Sequence, residues 1–371
     1  MLGLDLDLAV QSLLVNRSNQ YIVRATPFAM STTLPTTMRA SQWTSATGGL
    51  EKNLKLNQNA AMPKNIDPLP ADSVLVKIAY STLNPVDYKV PEMPILPSLL
   101  LTKPAIPGLD FSGTVVKSTR SDLKPGDRVC GKFIPGGPGT LADYVVAKGK
   151  EICAKIPDSV SLKDASAIGV CGTTAHACLA PYVKEGSKVF INGGSGGTGT
   201  FGIQIAKALG CYVTATCSGP NVELCKSLGA DEVIDYRTED VVARLKRAGT
   251  QYDVIVDNVF IPGIYWSSHH YLKPTGKYLT IAGTPSWEFL RNILHVMLLP
   301  SFLGGGQRSA AFTGPAQKAE TLRLLAGWMA EGKLKTPIER TYSLEESGEA
   351  VARLKTGRVA GKLIIEIGGE K

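Results

Sequence analysis

The stretch Gly193-Gly194-Ser195-Gly196-Gly197-Thr198-Gly199 constrains this 371-residue chain more than any other. It follows an apolar strand run, residues 188–192, and opens a segment in which Phe201, Ile205 and Leu209 recur at helical spacing. Strand, glycine turn and helix in that order build an anion site. Backbone without Cβ atoms can approach a phosphate, and the helix N-terminus offers unpaired N–H groups with positive dipole character. Both G-x-G-x-x-G (194, 196, 199) and G-x-x-G-x-x-G (193, 196, 199) are present. With this strand–helix context the expected ligand is a dinucleotide pyrophosphate. No Lys-[Ser/Thr] closes the loop, which excludes a nucleoside-triphosphate P-loop.

The sequence after the loop alternates between strand and helix patterns. Strands are predicted at 212–216, 232–235, 253–257 and 277–282, and helices at 198–209, 222–228, 238–248 and 318–332. That alternation predicts a doubly wound parallel sheet. Before the loop the pattern is different. Residues 41–72 read as polar and turn-rich, and short strands follow at 74–78, 111–116, 128–133 and 144–146. An Ala-rich helix is expected over 164–179, and a final strand over 362–367. The fold class is therefore α/β, with a β-rich domain beside a nucleotide-binding one.

Composition narrows the function. The net charge of +8 suggests polyanion binding, but Lys and Arg are scattered with no long run, so nucleic acid is not an expected partner. Seven cysteines without a C-x-x-C pair argue for a reducing compartment rather than a disulfide framework. The four histidines show no metal-ligand spacing. No apolar stretch is long enough to span a membrane; residues 293–303 come nearest and are interrupted by His295, Pro300 and Ser301. Residues 1–37 are expected to be a flexible tail or a weak mitochondrial signal, with Arg17, Arg24 and a Ser/Thr-rich run set against Asp5 and Asp7. The expected location is the cytoplasm, with mitochondria as the alternative.

The strand after the glycine loop helix speaks to cofactor choice. An NAD site would end it with Asp or Glu for the ribose 2′-OH. Here it ends Thr216-Cys217-Ser218-Gly219-Pro220-Asn221. Ser218 and Asn221 can donate hydrogen bonds to a 2′-phosphate that a carboxylate would repel. This favours NADPH.

Several segments together resemble the medium-chain dehydrogenase/reductase superfamily, in its zinc-free, quinone-oxidoreductase-like branch. They are Asn84-Pro85-Val86-Asp87, Pro107-Gly108-Leu109-Asp110-Phe111-Ser112-Gly113, Gly126-Asp127-Arg128-Val129, Gly172-Thr173-Thr174-Ala175, the glycine loop, and Leu228-Gly229-Ala230-Asp231 followed by Asp235-Tyr236. The similarity runs over roughly residues 38–370. Within the branch, Leu303-Gly304-Gly305-Gly306 resembles the reticulon-4-interacting-protein-like reductases. Asn84 through Lys89 and Cys217 through Asn221 resemble fungal trans-acting enoyl reductases.

The resemblance implies a GroES-like β-rich catalytic domain from 38–160 and 318–371 and a Rossmann domain from 161–317. It implies that Gly193, Gly194, Ser195, Gly196, Gly197, Thr198 and Gly199 hold the pyrophosphate. Ser218, Asn221 and Tyr236 would surround the 2′-phosphate, and Thr174 would face the nicotinamide. Many relatives carry Lys where Asn221 stands. Zinc-dependent relatives carry Gly-His-Glu where this chain reads Gly108-Leu109-Asp110, and Cys where Asn84 stands. No metal is therefore expected.

Hydride transfer to an electron-poor carbon needs donors for the charge that develops on the acceptor. Asn84, Tyr88 and Lys89 follow the strand expected to enter the cleft. Lys89 could bind a carbonyl oxygen and Tyr88 could give a proton. Asp87 reads as structural, and Cys171 and Cys178 as core residues. Leu294, Met297, Leu298, Leu299 and Phe302 are candidate cavity or dimer residues. The leading expectation is an NADPH-dependent reductase of an activated C=C bond or a quinone, with a quinone, enone or acyl thioester as substrate. A carbonyl reductase and a non-catalytic NADPH-binding interaction protein remain as alternatives. The sequence leaves monomer and homodimer open.

Overall fold

A computed structural model describes residues 34–93, 101–281, 306–315 and 318–370. The expectations for residues 1–33, for Ala282 and for 293–303 lie outside these residues. Residues from Thr37 onward form one compact unit.

Strands β1 (Thr37–Gln42) and β2 (Lys55–Ala61) pair antiparallel, β2 lying inside the stretch 41–72 that reads as turn-rich and β1 running into its start. Their alternation is blurred by polar residues, and cross-strand pairing supplies the order. Seven strands build the main sheet, antiparallel except for the parallel pair β14–β15. They are β3 (Ser73–Thr82), β4 (Asp110–Ser118), β5 (Arg128–Lys132), β6 (Tyr144–Lys148) and β7 (Cys153–Lys155), joined near the C-terminus by β14 (Ile338–Ser343) and β15 (Lys362–Glu366).

The second sheet comprises β8 (Lys188–Asn192), β9 (Tyr212–Cys217), β10 (Glu232–Asp235), β11 (Tyr252–Asp257), β12 (Leu272–Thr280) and β13 (Ser309–Phe312). All its pairs are parallel, in the order β10-β9-β8-β11-β12-β13. Counted along the chain this is 3-2-1-4-5-6, the doubly wound dinucleotide-binding order. The strand order reverses between β8 and β11, so a crevice opens beyond Asn192 and Asp257.

One apolar cluster ties the sheets together. It joins Ala79, Cys130 and Ala154 of the first sheet to Val189, Val213 and Val254 of the second. Backbone bonds add to it. Gly361 N–H donates to Ser195 O at 2.8 Å, and Gln204 exchanges two hydrogen bonds with the Lys335 backbone. The C-terminal strand thus touches the glycine loop directly.

Two helices differ from expectation. The Ala-rich segment is not one helix. It splits into Leu162–Ala165, a π-turn Ile168–Gly172, and Thr173–Leu179. The Val170 N–H leaves the α ladder and donates to Asp110 Oδ1 at 2.8 Å. That diversion accounts for the wider turn. A Cβ on Gly169 would collide with the same Asp110 oxygen. The helix expected from 238 begins instead at Val241, because Asp240 accepts the Ala243 N–H and caps it. Among the described residues no helix is long and apolar enough to cross a membrane.

Candidate active site

The glycine loop lies at the C-terminal edge of β8, in the crevice. Gly193 adopts φ +74°, a conformation that L side chains rarely adopt. Gly194 N–H donates to Thr216 O at 2.7 Å and Gly193 N–H to Thr216 Oγ1 at 2.9 Å. Thr216 in turn donates to Asn192, and Asn192 donates to Asp257. A polar chain across three strand ends therefore fixes the loop. Gly199 is required on steric grounds, since a Cβ there would collide with Gly193 O.

The helix Gly197–Ala208 starts at this loop, and Gly196 has no side chain to cap it. The opening N–H groups of such a helix have no intrahelical partners. Gly196 itself is open: a Cβ there would meet nothing nearer than Gly193 O at 3.6 Å. A cradle of bare backbone at a 12-residue helix N-terminus suits a pyrophosphate.

Asn221 sits beside the loop. Its amide Nδ2 donates to Ser195 Oγ and to Ser218 Oγ, both at 3.3 Å. The structure thus brings Ser195, Ser218 and Asn221 together at the ends of the glycine loop and β9. Tyr236 follows β10; its N–H donates to Cys217 O and its side chain is 53 % exposed. A carboxylate absent from the end of β9 enters from the neighbouring strand. Asp235 Oδ2 lies 2.8 Å from where a Gly219 Cβ would stand. Thr174 is buried on the helix Thr173–Leu179.

The second half of the site belongs to the antiparallel sheet. After β3, Asn84 precedes the short helix Pro85–Lys89 and is buried. Its Nδ2 donates to Asp110 Oδ2 at 2.9 Å. Its Oδ1 accepts from Lys362 Nζ at 2.7 Å. Lys362 is 3 % exposed, and its Nζ also donates to Leu83 O at 3.0 Å and to Cys171 Sγ at 3.2 Å. Asp87 accepts the Asn84 N–H through Oδ2 at 2.6 Å. Five residues from four separate stretches of the chain, 84 with 87, 110, 171 and 362, thus form one buried polar cluster. Gly197 presses on it from the loop side, where a Cβ would meet Cys171 Sγ and Lys362 Cδ, each at 3.0 Å.

Burial dominates the ionisation of this cluster. It pushes the Asp110 carboxyl up to about 6 against the pull of Lys362 and Asn84. It pushes Asp87 up to about 8, with the Asp110 charge adding to the rise. Lys89, half-buried at the end of its helix, is lowered by burial.

Tyr88 is placed elsewhere. It packs against the apolar cluster of the β-rich sheet, with the Lys355 ammonium 5.7 Å from its ring centre. Lys355 is itself paired with Glu51 and Glu92. The ring contact the structure gives Tyr88 is therefore with this ion cluster.

Three groups escaped the sequence reading. Lys362 opens an apolar strand run and looks like its flank. Cys171 reads as core, yet touches Asn84 Oδ1 as well as Lys362. Asp257 is a hub at the end of β11. It accepts N–H groups from Val259, Phe260 and Ile261, and the Tyr278 hydroxyl. Ionisable residues inside apolar strands were the signal for Lys362 and Asp257. For Cys171 the sequence carries none.

At the positions where zinc-dependent relatives carry ligands stand Asn84, Leu109 and Asp110. Among the described residues no three His, Cys, Asp or Glu side chains converge as a metal site. A cavity of about 360 Å³ opens beside Lys77, Arg128 and Gly368, but no predicted site residue lines it. A narrower groove beside Asn84 is lined by Trp43, Val86, Asp87, Ile106 and Leu109. Of the two, only this groove is lined by a residue of the buried polar cluster, Asp87.

Comparison with known proteins shows the family of the chain. Residues 70–158 match the alcohol dehydrogenase GroES-like domain, and residues 228–365 match the zinc-binding dehydrogenase family. The trans-enoyl reductase pgmF of Aspergillus terreus is 41 % identical over 354 residues, covering 91 % of this chain and 98 % of its own length. The chloroplastic quinone-oxidoreductase homolog of Spinacia oleracea is 30 % identical over 349 residues, covering 89 % and 98 %. Among solved structures, the quinone oxidoreductase from Coxiella burnetii superposes with a TM-score of 0.75 at 29 % identity, covering 89 % and 99 %.

Proposed function

The chain belongs to the medium-chain dehydrogenase/reductase superfamily, and from that premise we propose that it is an NADPH-dependent, zinc-independent reductase of activated C=C bonds or quinones. The observation that carries the reading is the juxtaposition at Gly197. There an uncapped helix N-terminus meets a buried polar cluster that holds an ammonium, Lys362, beside Asn84 and Asp110. The first part suits a dinucleotide. The second suits an acceptor that gains negative charge.

Bound nicotinamide would supply the hydride. The chain's own residues do the rest. Gly193, Gly194, Ser195, Gly196, Gly197, Thr198 and Gly199 hold the pyrophosphate with backbone N–H groups. Ser218 and Asn221 donate to the 2′-phosphate, with Tyr236 at the rim; Asp235 opposes it and sets a limit on the preference over NADH. Thr174 orients the nicotinamide. Lys89 binds the acceptor oxygen; Asn84, whose amide hydrogens go to Asp110 Oδ2 and Thr82 O, positions Lys362 through Oδ1, and Lys362 supplies the fixed positive charge that a metal supplies in zinc-dependent relatives.

The test is steady-state NADPH oxidation with three acceptor classes: quinones, enones and enoyl thioesters. Turnover with at least one class, unchanged by a chelator, is the expected result. No turnover with any class, or loss of activity with zinc removal, overturns the reading.

A further inference from the structure

We propose that Asp87 is the proton donor to the acceptor, acting from Oδ1 into the groove beside Asn84. The proposal rests on the reductase reading above and names the acid that reading leaves unassigned.

Asp87 is 5 % exposed. One oxygen, Oδ2, accepts the Asn84 N–H at 2.6 Å. The other, Oδ1, has no hydrogen-bond partner among the described residues. The residue lines the groove with Trp43, Val86, Ile106 and Leu109. Free space there is about 30 Å³, enough for a carbonyl tip or one water. A buried anionic oxygen without a donor is costly. As a carboxylic acid the two oxygens have separate tasks. The carbonyl oxygen accepts the Asn84 N–H, and the hydroxyl on Oδ1, itself buried beneath the groove wall, keeps its hydrogen uncommitted and available to a group that enters the groove.

The charged groups facing Asp87 from the neighbouring strands are Asp110 and Lys362. Asp110 disfavours a second anion. Lys362 favours one, but its Nζ is already hydrogen-bonded to Asn84, Leu83 and Cys171. Burial and Asp110 prevail over Lys362 and the Asn84 N–H, which keeps the carboxyl neutral near neutral pH. A capping role alone explains Oδ2 and leaves Oδ1 without one.

The step balances as follows. Reduced nicotinamide cofactor delivers a hydride to the electron-poor carbon, and the C=C electron pair moves to the carbonyl oxygen. The Asp87 Oδ1–H bond breaks, its electrons stay on the carboxylate, and the proton passes to the enolate. The acceptor gains one hydride and one proton, the cofactor is oxidised, and Asp87 regains a proton from solvent.

Asp87→Asn keeps the volume and the cap acceptor but cannot transfer a proton. We expect a kcat loss of about 100-fold or more, NADPH affinity within about twofold, and loss of the high-pH limb of the kcat profile. Infrared spectra give a readout without turnover. The wild type should show a protonated-carboxyl C=O band near neutral pH that titrates away in alkali. It should persist in Asp110→Asn and vanish in Asp87→Asn. A variant within about threefold of wild-type kcat with the same pH profile overturns the proposal and leaves the reductase reading intact. So does a wild-type spectrum in which Asp87 is ionised at about pH 6, a test that stands even if Asp87→Asn does not fold. Failure of the wild type to reduce any acceptor overturns both.

Discussion

The two walls of the site use opposite chemistry. On the parallel-sheet side, recognition is by backbone: glycines, helix N–H groups, and a chain of neutral hydrogen bonds from Thr216 through Asn192. On the antiparallel side it is by side chains: Asp87, Asp110 and Lys362, all buried and all ionisable. On the function proposed, the first wall would bind a ligand that arrives fully charged, so preformed dipoles suffice. The second would respond to charge that appears only during the reaction, which calls for groups that hold or move protons.

If the first wall is purely steric and dipolar, one methylene-scale intrusion should disable it. Gly199→Val places a side chain against Gly193 O. NADPH affinity should fall by about 100-fold, about 2.7 kcal/mol, read by fluorescence titration. An affinity within about threefold of wild type would break the contrast.

If the second wall depends on charge balance, removing its cation should destabilise the whole fold. Lys362→Met removes the ammonium donor from Asn84 Oδ1, leaving only the weak Cys171 thiol, and takes the stronger of two cations, Lys362 and Lys132, from Asp110. Unfolding in urea should show a loss of about 3 kcal/mol. Adding Asp110→Asn should restore part of that loss, a coupling that a double-mutant cycle reads directly.

The same wall predicts how stability varies with pH. Asp87 and Asp110 are both raised in the folded state, to about 8 and about 6. Between the ordinary carboxyl value of ~4 and these values the folded state holds more protons than the unfolded one. Stability should therefore be full at the acid end of that window and fall as pH rises through it. Urea midpoints measured across the window should decline, and Asp87→Asn should flatten the upper part. A midpoint that rises with pH there would contradict the buried-acid picture.

The smallest effect should come from the rim of the first wall. Asn221→Ala removes a donor toward the 2′-phosphate, and NADPH affinity should fall about fivefold, near the ~1 kcal/mol of one hydrogen bond. NADH affinity should hardly change. Equal loss for both cofactors would remove Asn221 from the 2′-phosphate site.

The fold was largely legible in the sequence, and the site only in part. The alternation after residue 188 foretold the parallel sheet, because buried strands and amphipathic helices carry their own periodicity. The β1–β2 hairpin was not legible, since its strands are polar and cross-strand pairing orders them. The π-turn at Ile168–Gly172 was hidden for a similar reason. It exists because Asp110, on another strand, draws off the Val170 N–H. Tyr88 and Lys89 adjoin Asn84 in sequence, but helical geometry sends Tyr88 to Lys355.

By itself the sequence determined the glycine loop's place and conformation. The loop is contiguous, and its shape follows from backbone conformations and close approaches that glycine permits. The tertiary structure decided the acceptor wall. The capped turn that carries Asn84 and Asp87, the strand that carries Asp110, the π-turn with Cys171 and the C-terminal strand with Lys362 are distant in sequence. Whether a buried carboxyl is an acid or an anion depends on burial and on neighbours that the chain order does not reveal.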